Sequence, residues 1–370
     1  LDRAVFDAGR SAAPHALKSA LDRVSRAWNS AIQAQSETYR VYDSLPAPLL
    51  AALDKYISRV TEYLSVDKLE LDEPAQTFFF EGLRFCRLAA ELDDDTLFEI
   101  TAPDAPAAAD GSIPYSVLCL RNIVPRRFLA PRFAAAHATV LFSATLAPHA
   151  FYRDILGLPE AVAWLDVRSP FHPDQLSVKL VRTISTRYLD RERSLVPIAD
   201  LVARQFEAQP GNYLAFFSSF DYLNRVAALV EARHPGIPIW TQSRGMPEAD
   251  RTAYLARFCE GGQGVGFAVL GGVFAEGIDL PGSRLIGAFI ATLGLPQINA
   301  VNEQTQRRMH AMFGAGYEYT YLYPGLQKVV QAAGRVIRAT SDRGVLYLID
   351  DRFERPEINR LLPTWWKLDR

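Results

Sequence analysis

YLAFF (213–217), then SSFDYLNRVAALVEARH (218–234), then IPIW (237–240) decide the fold. The first run is short, apolar and without polar alternation, which reads as a strand buried on both faces. The stretch 220–234 places apolar residues three and four apart, with serines in front, which reads as a capped helix. The last run is another short strand. Strand, helix, strand with buried strands is the pattern of a parallel α/β sheet.

The same texture extends in both directions. Further strands are expected at YSVLCL (115–120), ATVLF (138–142), LSVKLV (176–181), GFAVLG (266–271), LIGAFI (285–290) and GVLYLID (344–350). Helices are expected at 195–208, 247–261 and 326–340. In open parallel sheets ligands sit at the carboxyl ends of strands, so the loops after each strand are the place to look for chemistry. Residues 1–100 read as helical, with Leu17, Leu21, Val24 and Trp28 on one face and Pro46 and Pro48 as breaks. Phe78, Phe79, Phe80 and Phe85 are expected to mark a buried face. TAPDAPAAADGSIP (101–114) reads as an exposed loop.

The chain has 370 residues, which predicts two or three domains. Lys+Arg is 40 and Asp+Glu 42, a formal charge of −2. That excludes a generally basic nucleic-acid coat protein but leaves room for a local basic groove. Cys86, Cys119 and Cys259 lie far apart, and the six histidines are scattered. This spacing predicts no zinc site and no disulfide framework, only reduced thiols in a cytoplasmic protein. No apolar run is long enough for a bilayer, and no signal peptide opens the chain. The sequence starts at Leu1 without methionine, so a fragment is expected.

Five loops carry the candidate chemistry. SATL follows ATVLF; Ser143 and Thr145 suit contacts to phosphate oxygens or to carboxylates of a neighbouring loop, although a hydroxyl turn capping a helix explains them more readily. Ser218 and Ser219 suit a helix cap or, with the helix amino terminus, a phosphate site. Thr241, Gln242, Ser243 and Arg244 follow IPIW and suit a sugar–phosphate backbone, or form a plain polar loop. VFAEGIDLPG places Glu276 and Asp279 around Gly277, which permits a tight or left-handed bend. Such acids organise a metal-bound nucleotide, hold an arginine or orient water. In QAAGRVIR (331–338), a helix would put Gln331, Arg335 and Arg338 on one face. Guanidinium groups suit bidentate phosphate binding and stabilise charge in phosphoryl transfer. Gly334 costs about 1 kcal/mol against alanine in a helix, so close packing or close ligand approach is expected there.

Taken in order, SATL, AFFSSFDYL, VFAEGIDLPG and QAAGRVIR resemble motifs III to VI of superfamily 2 helicases. The subgroup they resemble is the XPD/DinG-like (Rad3-related) DNA helicases. The approach YEYTYLYPGLQKVVQ and the ending SDRGVLYLIDDRF strengthen the likeness, which spans about residues 115–355. No G-x-x-x-x-G-K-[ST] and no D-E-x-H box occurs in the sequence. In the family both lie in a first RecA-like domain, upstream of the matching region, as do the cysteines of an iron–sulfur cluster where one exists. The resemblance therefore implies three parts: 1–100 from a helical Arch-like insertion, 101–150 ending the first RecA-like domain, and 151–370 forming the second.

The resemblance also implies roles. Arg335 and Arg338 would face ATP phosphates, with Arg338 as the finger and Gln331 as a coupling residue. Glu276, Gly277, Asp279 and Gly334 would shape the nucleotide side. Ser218, Ser219 and Gln242 would contact single-stranded DNA, while Ser143 and Thr145 would couple hydrolysis to domain movement. ATP and Mg²⁺ would be shared with the upstream domain. The implied protein is a monomeric, non-membrane DNA helicase acting on single strands and forks, moving 5′ to 3′ in repair or replication. The chain by itself would lack ATPase activity. The alternatives are a non-enzymatic helicase-like module that binds DNA or a partner, and a related nuclease; no acidic cluster with metal-ligand spacing supports the nuclease.

Overall fold

The computed structural model describes residues 1–66, 70–102 and 115–369. Most of the expected loop at 101–114 therefore lies outside the described residues. Contacts group the chain into two units, 1–139 with 153–159, and 140–152 with 160 onward.

The first unit packs the helices Arg3–Ala12, His15–Gln33, Ala47–Leu64 and Glu73–Ala89 against a small antiparallel sheet. Its strands are β1 (Tyr39–Tyr42), β2 (Thr96–Thr101) and β3 (Val117–Asn122), in the order β1-β2-β3. Leu17, Leu21, Val24 and Trp28 are buried as expected, and the Trp28 indole donates to Ser116 Oγ at 3.0 Å. Phe78, Phe79 and Phe85 are also buried, but Phe80 points outward. Successive helical residues turn by about 100°, so three in a row cannot share one face. The expectation of helix throughout 1–100 misses β1 and β2. It also misplaces YSVLCL, which pairs antiparallel with β2 rather than joining a parallel sheet. Inside this sheet the buried Glu99 carboxylate accepts from Tyr39 Oη and lies 2.6 Å from an Arg121 nitrogen. A buried charge needs that pairing.

The second unit is built on a parallel sheet of seven strands, as the sequence implies. These are β4 (Leu176–Val181), β5 (Asn212–Phe217), β6 (Ile239–Thr241), β7 (Gly264–Val269), β8 (Gly287–Ala291), β9 (Gly344–Ile349) and β10 (Lys367–Asp369). Their order is β10-β4-β9-β8-β5-β7-β6, every neighbouring pair parallel. All residues of β5 are buried because its alternate side chains serve two cores. Leu214 and Phe216 join one, with Ala288, Ile290, Leu346 and Leu348 from β8 and β9 and Leu326 and Val329 from the helix Tyr323–Ala333. Tyr213, Ala215 and Phe217 join the other, under the helices Arg191–Ala208 and Phe220–Arg233. The period-2 rule thus operates on both faces at once, which is why these strands look uniformly apolar in sequence.

Three expectations fail locally. ATVLF (138–142) forms no strand, and Phe142 is 89% exposed. Among the described residues no strand pairs with it, and a lone apolar run has no ladder to complete. The helix expected at 326–340 ends at Ala333, and that at 247–261 ends at Ala256. Just ahead of Tyr323, residues Glu318–Leu322 form a single π turn, closed by the Tyr323 N–H on the Glu318 carbonyl. Nothing in the hydrophobic period signalled it.

Candidate nucleotide and nucleic-acid site

The candidate residues of the second unit gather where strands β5, β6 and β7 end. After β7 the chain turns through Gly271 at φ +79°, forms the short helix Val273–Glu276, and leaves through Gly277. Phe274, Ala275, Ile278 and Leu280 are buried and anchor this loop in the core. Gly277 sits at φ −108°, so of the tight or left-handed bend that the sequence allows the chain takes a tight one; its N–H closes the turn on the Val273 carbonyl at 3.1 Å. The Glu276 side chain lies outside the described residues. The Asp279 carboxylate is exposed.

QAAGRVIR is not one helix, so Gln331, Arg335 and Arg338 do not form a helical face. Gly334 is the residue after the last turn, at φ −64°, and its N–H bonds to the Val330 carbonyl at 2.9 Å. It ends the helix rather than admitting a close neighbour: a Cβ there would meet only the Val330 and Gln331 carbonyls, at 3.3 and 3.5 Å. Both arginines nevertheless converge on the AEGID loop. Arg335 Nε donates to the Ala275 carbonyl at 3.0 Å and Nη1 to the Ile278 carbonyl at 2.9 Å, bracketing Glu276 and Gly277. Arg338 Nε donates to Asp279 Oδ1 at 2.8 Å, with its own side chain 38% exposed. The turn that presents Arg338 is held by buried Asp342, whose Oδ2 accepts from the Arg338 and Ala339 N–H groups at 2.8 and 2.7 Å. Gln175 Nε2 donates in turn to the Asp342 and Thr340 carbonyls. Asp342 and Gln175 were missed by the sequence reading. An acid four residues past the motif, bonding back to two N–H groups, was the available signal.

Ser143 and Thr145 form a local hydroxyl turn, Thr145 N–H donating to Ser143 Oγ at 3.2 Å. Tyr152 Oη donates to the Thr145 carbonyl at 2.7 Å, and Phe151 packs edge-on against Tyr319 and Tyr323. The glutamine that reaches this turn is Gln327, with Nε2 3.4 Å from Thr145 Oγ1. Gln331, one turn later, is half-buried on the same helix.

Ser219 caps the helix Phe220–Arg233 by accepting from the Tyr222 N–H at 3.3 Å. Ser218 accepts from Arg191 Nη2 at 2.9 Å, a contact that sequence gave no hint of. Gln242 is only 8% exposed, and its Oε1 accepts from the Val269 N–H at 2.9 Å. It extends the β6–β7 pairing and does not present itself to a solvent-borne strand. Among the described residues, no group of His, Cys, Asp and Glu could hold a metal ion. Burial, with a smaller contribution from Asp54, pushes the Cys86 thiol up to about 12. No helix among the described residues is long and apolar enough to cross a membrane.

The chain is similar to several known proteins. Residues 202–369 match the family described as helicase C-terminal domain. The chain is 26% identical over 279 residues to the ATP-dependent DNA helicase chl1 of Neosartorya fischeri, covering 63% of this chain and 32% of that protein. It is 24% identical over 260 residues to the XPD helicase subunit of the general transcription and DNA repair factor IIH of Dictyostelium discoideum, covering 64% and 32%. The chain thus spans about a third of the length of these curated relatives. The solved structure of Xpd4 from S. tokodaii matches all of this chain and 71% of its own, with a TM-score of 0.60 at 14% identity, which speaks for the fold.

Proposed function

Residues 202–369 belong to the helicase C-terminal domain family, and the chain carries the C-terminal part of an XPD/Rad3-family superfamily 2 helicase; on that premise we propose that it supplies one half of an ATP site and part of a single-stranded DNA track. The observation that carries this is the pair formed by Arg338 and Asp279 at 2.8 Å, at the end of a loop that Arg335 braces from behind. Arg335 places Nε and Nη1 on backbone carbonyls of the loop, so it shapes the loop. Arg338 is exposed, is held in place by its backbone, and offers Nη groups to a phosphate. The residues present fit one side of a nucleoside triphosphate: a solvent-facing guanidinium at the mouth of a parallel sheet. When bound, ATP and Mg²⁺ supply the phosphoryl group and the charge neutralisation. The chain's own part is to place Arg338 against the charge that develops. Among the described residues Cys86, Cys119 and Cys259 are free and form no group that could hold a metal ion.

In this reading the whole protein is an ATP-driven DNA helicase. It travels 5′ to 3′ on one strand, acts at forks in repair or replication, and works in the cytoplasm as a monomer. The lysine loop and the Mg²⁺-holding acid come from an upstream RecA-like domain, so this chain by itself turns over no ATP. The test is DNA-stimulated ATP hydrolysis. In the protein extended upstream, Arg338→Ala should lower kcat by about 10³-fold or more. Turnover by the 370-residue chain that survives Arg338→Ala sinks both the role and the fragment reading.

A further inference from the structure

Four arginines near the carboxyl ends of β4, β5 and β9 are matched to carboxylates. Arg182 pairs with Glu354 at 2.8 Å, Arg187 with Asp351 at 2.7 Å, Arg352 with Asp350 at 2.6 Å, and Arg225 with Glu192. Arg191 differs. Among the described residues no carboxylate pairs with it. Its Nη2 donates instead to the Ser218 hydroxyl at 2.9 Å, and its Nε is buried without a partner. The guanidinium lies 5.4 Å from the centre of the Tyr222 ring, which is fully buried, and 5.3 Å from that of Tyr188. Tyr188 opens the turn Tyr188–Asp190 and is 80% exposed. One cation is therefore fixed between a core ring and a solvent ring, beside a hydroxyl that ends β5.

We propose that Tyr188 and Arg191 form a binding step for one nucleotide of single-stranded DNA: the base stacks on the Tyr188 ring and Arg191, with Ser218, takes the adjoining phosphate. Such sites combine an exposed aromatic face with a positive group that tracks the backbone, and they tolerate any base. Neither half makes sense as core packing. The ring is largely exposed, and the cation has no carboxylate among the described residues where Arg182, Arg187, Arg225 and Arg352 each have one. The inference rests on the reading of the chain as part of a DNA track, and deepens it.

The test is fluorescence anisotropy of a labelled oligothymidylate, roughly 20 nucleotides long, titrated with the 370-residue chain across a salt series. Tyr188→Ala should weaken binding roughly tenfold and leave the salt slope unchanged, whereas Tyr188→Phe should bind like the unaltered chain. Arg191→Ala should lower the slope of log K against log salt by about 0.7. Tyr188 is exposed, so its replacement does not threaten folding. Binding by the unaltered chain with Tyr188→Ala within twofold of it overturns this inference and leaves the DNA reading standing. No binding by the unaltered chain overturns both.

Discussion

Arg335 and Arg338 stand three residues apart, yet their replacement should have very different consequences. Arg335→Ala removes two charge-assisted bonds, to the Ala275 and Ile278 carbonyls, from a half-buried position. Such bonds contribute about 1.5–3 kcal/mol each, and here two acceptors would lose their donor together. Allowing for relaxation, the AEGID loop should lose about 3 kcal/mol of local stability. At 1.4 kcal/mol per power of ten, that is roughly a hundredfold. Arg338→Ala removes an exposed ion pair whose Asp279 carboxylate is well hydrated. Pairs of that kind contribute about 0.2–1 kcal/mol, a factor of about five at most. Its backbone stays fastened to Asp342 whatever the side chain. Hydrogen exchange read by mass spectrometry on a peptide spanning 273–280 separates these numbers, because local opening is measured without assuming that two units unfold as one. Arg335→Lys should recover part of the protection, since an ammonium reaches one carbonyl more readily than two. Equal loss of protection in the two alanine variants, or a larger loss for Arg338→Ala, would refute the division of labour between a brace and a phosphate contact.

Other outcomes follow from the same geometry. Asp350 is buried, which by itself would raise its pKa; Arg352 and Thr186 outweigh this and hold it at about 2. Its stabilisation is therefore complete above the unfolded value near 3.9 and is lost as pH falls towards about 2, an effect of about 2 kcal/mol. Asp350→Asn should flatten the acid limb of stability between about pH 4 and pH 2, measured by urea unfolding of the second unit; an unchanged limb places the acid dependence elsewhere. Gly294 sits at φ +71°, and a Cβ there would lie 2.6 Å from the Gly325 carbonyl oxygen. Gly294→Ala should lower the melting temperature by several degrees through backbone clash and left-handed strain, about 2 kcal/mol or more, and an unshifted melting curve contradicts that account. Gln327→Ala should speed exchange at 143–146 by less than about tenfold, whereas Gln331→Ala should leave it unchanged; the reverse ranking returns the coupling role to Gln331.

The parallel sheet was legible because β5, β8 and β9 are buried on both faces, which leaves an uninterrupted apolar run that few other contexts produce. The short strands β1 and β10 were not. YRVY and KLD are partly exposed, and their pairing comes from distant partners, β2 and β4, rather than from any local pattern. ATVLF shows the converse: a strand-like composition is silent about whether a ladder exists to receive it. In the candidate site, the motif residues were found but their division was not. Gly334 was weighed as a packing device when it stops a helix, and that stop frees Arg338 to turn toward Asp279. Arg191 escaped notice because its neighbours, Ser218 and Tyr188, are distant or undistinguished in sequence. Only the folded chain shows that, among the described residues, no carboxylate pairs with it.

The π turn at Glu318–Leu322 sets the phase of everything after it. Its bonds run from one residue to the fifth on, so it holds one residue more than an α turn. Each added residue rotates the following helix by about 100°. The extra residue thus fixes the azimuth at which Gln327 meets Thr145 and at which Tyr319 and Tyr323 both meet Phe151. Deleting one residue between 318 and 322 would leave a regular helix of unchanged composition, with its glutamine face turned away from the hydroxyl turn. In this segment length is itself information: the count of residues, and not only their identity, aims the motif.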